Sequence, residues 1–226
     1  MPRPPQRPDE LRNRVFRGST AVRRGLLTPN DLRSRAWRRL FPDVYVDAAA
    51  EVTHALRARA AASVLLPHAV VSGASAGVLW GLDDLAAADT PVELTVEPGT
   101  PRGAAPGVVV RRWTVPGSRV RPVAGVRATA PETTALDLAA RLPLDDGVVV
   151  LDRFVAERLT TLGTLRLEAA ELTGRGCRLT RTACALADGL AQSPQETRLR
   201  LLMGRRSVPT PVAQHRIVHG GRSFAN

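Results

Sequence analysis

Residues 28–46, TPNDLRSRAWRRLFPDVYV, decide the fold expected at the start of this chain. The first four supply a hydroxyl cap, a proline at the first helical position and an acid three residues after the cap, which is the pattern of a helix start. A further short helix is expected over residues 34–41. Pro42 and Asp43 then turn the chain into residues 44–46, a β-type run. The stretch predicts short helices followed by a strand.

Upstream residues extend this pattern. Asp9 and Glu10 open a helix that ends at Gly18, and Ser19 can cap a second helix that ends at Gly25. Three short helices and a ribbon predict a winged helix-turn-helix at residues 1–50. In such a domain the second helix of the motif enters the major groove, here the helix at 34–41. The arginines placed to reach phosphates or guanine edges are Arg33, Arg35, Arg38 and Arg39, with Arg23 and Arg24 before them.

Net charge supports this reading. All 32 basic residues are arginines, and against 21 acids they leave a formal charge of +11. Residues 1–60 hold 13 arginines and 6 acids, residues 61–175 hold 11 and 13, and residues 176–226 hold 8 and 2. Clustered arginine favours a polyanion partner, duplex DNA above all. The alternatives are the arginine usage of a GC-rich genome and a solvated basic surface. The absence of lysine excludes P-loop and Schiff-base chemistry.

The rest of the chain reads as α+β. Helices are expected near 52–66 and from 75 through 80, and strands at 92–96, 108–112 and 123–127, followed by helices at 131–141, 146–158, 162–173 and 178–190. Residues 51–190 are therefore a predicted mixed α/β middle domain with a small antiparallel sheet and helices. Residues 191–226 are a third segment. It starts at a capping box, Ser193 to Glu196, and ends in a hairpin turning at Gly220-Gly221. Its short return strand indicates an interrupted domain.

Three constellations could carry chemistry. Residues 73–77, GASAG, match the nucleophile-elbow pattern, but no series of parallel strands is expected before them, so a helix capped by Ser72 is favoured. His215 and His219 have a metal-ligand spacing on a strand pattern without a third ligand nearby, so no metal is expected. Three acids, Asp145, Asp146 and Asp152, are expected at helix starts and helix surfaces.

The cysteine content and the hydropathy of the sequence indicate the cellular compartment. Cys177 and Cys184 are the only cysteines, which excludes a disulfide framework and favours a reducing cytoplasm. Residues 1–8 contain no apolar run, and the longest apolar stretch is broken by Pro67 and His68. The sequence therefore predicts a cytoplasmic protein without a leader or a membrane span.

Several blocks in order resemble a known family. FRGST at 16–20, LTP at 27–29, WRRLF at 37–41 and VYV at 44–46 resemble the N-terminal winged helix of AbiEi-like antitoxin and regulator proteins of actinobacteria. VSGASAGVLWGL at 71–82 and TAPETTALDLA at 129–139 resemble the blocks that follow. The resemblance implies a DNA-binding transcriptional regulator whose partners are duplex DNA and a cognate toxin or a second protomer, with no cofactor.

The same resemblance implies a nuclease-like C-terminal segment. SPQETRLR at 193–200 resembles the opening helix of very-short-patch-repair-like PD-(D/E)XK endonucleases, with Glu196 at the position of that family's acid. The other metal-binding acids do not follow it, so no catalysis is expected from this truncated segment. One alternative is a broken or frameshifted copy of a Mg-dependent endonuclease. Another is a protein-interaction module that does not bind DNA.

Overall fold

A short helix and a three-stranded antiparallel sheet begin the chain in the computed structural model, which describes residues 7–100, 105–191 and 193–206 together with the backbone of 217–219 and 222–225. The chain divides into two compact units, an N-terminal unit of residues 1–130 and a C-terminal unit of residues 131–226. The predicted middle domain at 51–190 extends across this boundary. The three-part division remains a prediction.

The first sheet has the strand order β1-β3-β2, with β1 at Phe16–Arg17, β2 at Trp37–Phe41 and β3 at Val44–Asp47. Helix α1, Gly18–Arg23, follows β1. The predicted helix ending at Gly18 is wrong: only Asp9–Leu11 make a single helical turn. Gly18 is instead the first residue of α1. Its N–H donates to the Asp43 carbonyl, and a side chain at this position would collide with the Tyr45 ring.

The predicted recognition helix over residues 34–41 is also wrong, because Trp37–Phe41 form strand β2. Strand β3 pairs with it antiparallel, from Trp37 opposite Asp47 to Phe41 opposite Val44. A two-residue turn joins them, and Asp43 adopts φ +59°, the conformation that a tight hairpin needs. Both Trp37 and Phe41 are buried. Strand pairing therefore provides hydrogen-bond partners for the backbone while it places these apolar side chains in the core.

The N-terminal unit continues with a five-stranded sheet in the order β6-β5-β4-β8-β7. Its strands are β4 at Val70–Val71, β5 at Val92–Val96, β6 at Val108–Arg112, β7 at Val120–Val123 and β8 at Val126–Thr129. The expected strands at 92–96 and 108–112 are confirmed. The expected single strand at 123–127 is instead the end of β7 and the start of β8 with a turn between them, because Ala124 and Gly125 both have positive φ.

The sheet is mixed, which corrects the expected antiparallel arrangement. Strands β4–β5 and β7–β8 pair antiparallel, whereas β5–β6 and β4–β8 pair parallel. Val92 opposite Val108 sets the β5–β6 register, so the chain returns to the start of β5 before β6 begins. Helices α2, His54–Ala60, and α3, Gly73–Leu79, belong to the same unit, and α2 runs on into one wider turn at Ala61–Leu65.

One apolar core joins the two sheets of this unit. Phe41 and Val44 of the hairpin share it with Ala58 of α2 and with Val92 and Leu94 of β5. A second cluster packs Phe16 edge-on against Trp37, with ring centroids 5.0 Å apart. The predicted winged-helix segment at 1–50 is therefore packed into the N-terminal unit through its hairpin.

The C-terminal unit is mainly helical, as predicted from residue 131 onward. Its helices are α4 at Pro131–Ala139, α5 at Leu144–Ala156, α6 at Leu162–Glu171, α7 at Cys177–Leu186 and α8 at Pro194–Arg205. Strands β9, Ile217–His219, and β10, Arg222–Ala225, pair antiparallel, which confirms the predicted hairpin, although Gly220-Gly221 lies outside the described residues. The predicted cap at Ser193 is confirmed: the Glu196 N–H donates to Ser193 Oγ at 3.3 Å, and the Ser193 hydroxyl donates to Glu196 Oε1 at 3.0 Å.

Candidate nucleic-acid interface

The hairpin that carries Arg38 and Arg39 is held against α1 by its own turn. Asp43 Oδ1 accepts from the Ser19 N–H at 2.7 Å, and Asp43 Oδ2 accepts from the Ser19 hydroxyl at 2.6 Å. A carboxylate at a helix start satisfies free N–H groups. These two hydrogen bonds tie the turn of the β2–β3 hairpin to the start of α1.

Strand β2 lies at the edge of its sheet and presents two exposed arginines. The Arg38 guanidinium donates to the Ala48 carbonyl at 3.3 Å, and Arg39 Nε donates to the Phe41 carbonyl at 3.3 Å. Both bonds are to backbone oxygens, so both positive charges remain uncompensated by them. An edge strand with exposed arginines resists pairing with another strand and offers charge to a polyanion.

Two more predicted arginines lie in the segment that leads into β2. Its start is the capping box of Thr28 and Asp31, in which each side chain accepts the other's backbone N–H, at 2.8 and 3.1 Å. This confirms the predicted helix start, although the helix itself is one turn, Asp31–Arg33. Arg33 and Arg35 are both exposed. Among the described residues, neither has a hydrogen bond or ion pair through its side chain.

Arg23 and Arg24, at the end of α1, differ from each other. Arg23 donates to the Thr20 hydroxyl at 3.3 Å and has no carboxylate partner within the described ranges. Arg24 pairs with Glu10 at 3.0 Å, and both side chains are more than half exposed. An exposed pair of this kind contributes little to stability, about 0–1 kcal/mol.

A further arginine, Arg57 of α2, was not among the sequence predictions. Its Nη1 donates to the Ala88 and Thr90 carbonyls at 2.6 and 2.9 Å, and its guanidinium lies 5.5 Å from the centroid of the Phe41 ring. Arg57, Arg38 and Arg39 line one open depression of about 400 Å³. A spacing of 18 or 19 residues between them carries no sequence signal, because only the packing of α2 against the hairpin brings them together.

The arginines of α8 are in a different state. Arg198 pairs with Asp146 at 2.9 Å, and Arg205 pairs with Asp145; both acids belong to α5. The basic charge expected at the C-terminal end is therefore offset along this helix by acids of α5. Glu196, the predicted nuclease acid, accepts the Ser193 hydroxyl at the start of the same helix.

Arg200 of α8 enters a buried carboxylate site at Asp152. Asp152 Oδ1 accepts from the Asp188 and Gly189 N–H groups, both at 2.9 Å. Its Oδ2 accepts from the Thr197 hydroxyl at 2.8 Å and from Arg200 Nη2 at 2.9 Å. Asp152 is 1% exposed, so its prediction as a helix-surface acid is wrong. It joins α5, the loop before α8 and α8 itself.

Ser75, the central residue of the GASAG motif, has a histidine partner that sequence reasoning missed. His54 Nε2 lies 2.7 Å from Ser75 Oγ, and His54 Nδ1 lies 3.1 Å from the Ala87 carbonyl. A carbonyl only accepts, so Nδ1 carries the proton and the Ser75 hydroxyl donates to Nε2. Burial lowers the pKa of His54, which favours this neutral form.

This pair is a structural network. Ser75 is 0% exposed, and its Oγ also accepts the Glu93 N–H at 2.9 Å. A hydrolase nucleophile must reach its substrate, so burial supports the expectation against a serine hydrolase. The predicted cap at Ser72 is not made by its side chain, which instead accepts from the Thr95 hydroxyl at 2.8 Å.

The sequence also raised the questions of a metal site and of a membrane-spanning helix. Across the described residues, no three His, Cys, Asp or Glu side chains are grouped as a metal site would require. His215 lies outside the described residues, as does the side chain of His219. No helix in the described part of the chain combines the length and apolar character of a membrane span.

Comparison with known proteins identifies the family. The model of the AbiEi antitoxin C-terminal domain matches residues 68–188, and this chain belongs to that family. The matched range contains the blocks at 71–82 and 129–139, so the resemblance is confirmed there. The winged-helix block at 16–46 and the nuclease-like block at 193–200 lie outside it and remain predictions.

Two relatives and one solved structure are similar. The uncharacterized proteins MT2308 and Rv2248 of Mycobacterium tuberculosis are each 31% identical over 159 residues, which cover 70% of this chain and 57% of each relative. The chain thus spans little more than half the length of these relatives. The crystal structure of the RV2827C protein from Mycobacterium tuberculosis matches with a TM-score of 0.50 and 17% identity, covering 92% of this chain and 84% of that chain. This likeness shows the fold alone.

Proposed function

We propose that this chain is a regulator of the AbiEi antitoxin type that binds duplex DNA through arginines of its N-terminal unit. The family match supports an antitoxin or regulator. Duplex DNA as the ligand is inferred from charge, and a cognate toxin or a second protomer is the expected protein partner. No cofactor is required, and the cytoplasm is the expected location.

The observation that carries this proposal is the contrast between the two sets of arginines. Within the described residues, Arg33, Arg35, Arg38 and Arg39 are exposed and lack carboxylate partners. The arginines of α8 are instead paired with acids. Phosphate contacts release counterions only when the protein charge is free to replace them. The N-terminal arginines meet this condition better than those of α8.

The proposed contact surface is the hairpin edge rather than a groove-reading helix. Exposed arginines on β2 and on the segment before it can bind phosphates without base contacts, which gives affinity with little sequence information. The depression lined by Arg38, Arg39 and Arg57 lies between the hairpin and α2, and Asp89 also lines it. We therefore expect strong, salt-dependent binding to duplex DNA and a modest preference among sequences.

Salt-dependent titration tests the proposal. Each phosphate contact contributes about 0.9 to the slope of log binding constant against log salt concentration. The double variant Arg38→Gln/Arg39→Gln should lower the slope by about 1.8, and adding Arg35→Gln should bring the loss to about 2.7. Binding to a duplex is measured by fluorescence anisotropy at several salt concentrations.

The matched control removes the same charge elsewhere. Arg175 and Arg178 are exposed residues of the C-terminal unit without a described side-chain partner, and Arg175→Gln/Arg178→Gln should leave the slope unchanged. Equal slope losses in both doubles would refute the hairpin as the contact surface. Absence of DNA binding by the unaltered chain would refute the proposal and favour the protein-interaction module.

A further inference from the structure

The depression between the β2–β3 hairpin and α2 brings together three guanidinium groups and one carboxylate. Arg38 and Arg39 of β2 and Arg57 of α2 line it, and Asp89 lies at the same surface. The two hairpin arginines are exposed, and Arg57 is partly buried. Charges of one sign that line a concave surface concentrate their field there, so three arginines around one depression favour an anion more than the same three on a flat surface.

Arg57 is held in this depression by contacts within the protein. Its Nη1 donates to the Ala88 and Thr90 carbonyls at 2.6 and 2.9 Å, and its guanidinium lies 5.5 Å from the centroid of the Phe41 ring. A Cβ on Gly107 would lie 2.8 Å from Arg57 Nη2, so the absence of a side chain there leaves room for the guanidinium. A side chain that is already ordered loses little conformational entropy when a ligand binds to it.

These contacts leave the charge of Arg57 available to an anion. Both of its hydrogen-bond acceptors are carbonyls, and within the described residues no carboxylate forms an ion pair with it. Burial lowers the pKa of Arg57, but an arginine still carries its full charge at neutral pH. Since solvent screens a partly buried charge less than an exposed one, Arg57 should attract an anion in the depression strongly.

Asp89 is the one acid that lines the depression among the described residues. It is exposed, and in the described part of the chain its carboxylate forms neither a hydrogen bond nor an ion pair. It acts on Arg57 through space, where it opposes the effect of burial on the pKa of that arginine. An unpaired carboxylate at this surface repels any anion that the three arginines attract.

We propose that the depression is a subsite for one phosphodiester group of the DNA backbone, in which Arg57 is a third contact beside Arg38 and Arg39, and Asp89 limits the affinity. This inference rests on the DNA-binding proposal and deepens it, because it adds two residues from outside the hairpin. The planar N–H groups of a guanidinium match the oxygens of a phosphate, which is the chemistry that the three arginines share. A backbone contact of this kind adds affinity and carries no sequence information.

The first test removes the charge of Arg57. Arg57→Gln should lower the slope of log binding constant against log salt concentration by about 0.9, whereas Arg57→Lys keeps the charge and should keep the slope. The matched control is Arg59→Gln, because Arg59 is exposed on the same helix, has no described side-chain partner and does not line the depression. Binding to a duplex is followed by fluorescence anisotropy, and urea unfolding reports the stability of each variant.

A purely structural role of Arg57 gives a different result. Arg57→Gln would then lower the stability of the chain, while its slope would equal that of the unaltered chain and of Arg59→Gln. That outcome would overturn the proposed contact.

The second test removes the carboxylate of Asp89. Asp89→Asn should bind the duplex more tightly, by about threefold in low salt, and the gain should shrink as added salt screens the charge. Asp83→Asn is the matched control, because Asp83 is an exposed acid of the same connection between α3 and β5 that does not line the depression. Equal gains in the two variants would overturn the role of Asp89. If Arg57→Gln does not fold, this comparison decides the proposal.

The phosphate subsite and the DNA-binding proposal can be told apart when they fail. If the unaltered chain does not bind duplex DNA, both are wrong. If it binds and Arg38→Gln/Arg39→Gln lowers the slope, while Arg57→Gln and Asp89→Asn behave like their controls, only the phosphate subsite is wrong.

Discussion

Asp152 gives the sharpest prediction about stability, because one buried carboxylate holds three segments of the C-terminal unit. Asp152→Ala removes the acceptor for two backbone N–H groups, the Thr197 hydroxyl and Arg200 Nη2. The Arg200 side chain is only 17% exposed and would keep only Asp188 as a charged neighbour. Removing one partner of a buried pair costs about 3–5 kcal/mol.

The control lies on the same helix. Asp146→Ala breaks the ion pair with Arg198, in which the Arg198 side chain is 50% exposed and the Asp146 side chain is 42% exposed. The free energy of unfolding should fall by only about 0.2–1 kcal/mol. At an m-value of about 1.5 kcal/mol per M urea, Asp152→Ala should lower the unfolding midpoint by roughly 2 to 3 M, and Asp146→Ala by less than about 0.7 M.

The distribution of chromophores allows the effect to be localised. All three tryptophans, Trp37, Trp80 and Trp113, lie in the N-terminal unit, so their fluorescence follows that unit. Ellipticity at 222 nm follows mainly helices α4–α8. Asp152→Ala should lower the ellipticity midpoint more than the fluorescence midpoint. An ellipticity midpoint no lower than that of Asp146→Ala would refute the role of Asp152.

Three further predictions follow from single sites. Burial lowers the pKa of His54, so as the pH falls the unfolded chain takes up this proton before the folded chain does. The free energy of unfolding is therefore retained above the ordinary histidine pKa of about 6.5 and decreases as the pH falls toward the pKa of the folded state. In urea unfolding followed by fluorescence, His54→Gln should lose less stability between pH 7.5 and 5.5 than the unaltered chain. Gly176 and Gly174 have nearly the same backbone conformation, with φ of +87° and +86°. A Cβ on Gly176 would lie 2.7 Å from the Ala140 carbonyl oxygen, whereas a Cβ on Gly174 would meet nothing within 4 Å. Gly176→Ala should therefore lower the melting temperature clearly more than Gly174→Ala, and equal losses would contradict the clash. Burial raises the pKa of Cys184 to about 11, so at pH 8 only about one Cys184 thiol in a thousand is ionised. A thiol reagent should therefore modify the folded chain mainly at Cys177. Rapid reaction of both cysteines would contradict the burial of Cys184.

Local signals in the sequence determined the helices of the C-terminal unit and the caps at Thr28 and Ser193, although they predicted helices wrongly at 9–18 and 34–41. The capping box of Thr28 and Asp31 and the cap at Ser193 need only residues three positions apart, and both are made. The helices from Pro131 onward follow from periodicity and from turn residues between them. Strands β5 and β6 were predictable for the same reason, because each is a β-branched run between turns.

Long-range packing decided what local signals could not. WRRLF at 37–41 is compatible with a short helix, but pairing with β3 and burial of Trp37 and Phe41 make it a strand. The candidate arginines were identifiable from charge alone, whereas their surface is a strand edge because of that pairing. Arg57 joined them only through the fold.

The division of charge was likewise a tertiary result. Sequence arithmetic gives both ends of the chain an excess of arginine. Only the packing of α8 on α5 brings its arginines to Asp145, Asp146 and Asp152, because residues some 50 positions apart meet through helix docking and not through spacing. The arginines of the hairpin and those of α8 look alike in sequence, but within the described residues only those of α8 are paired with carboxylates.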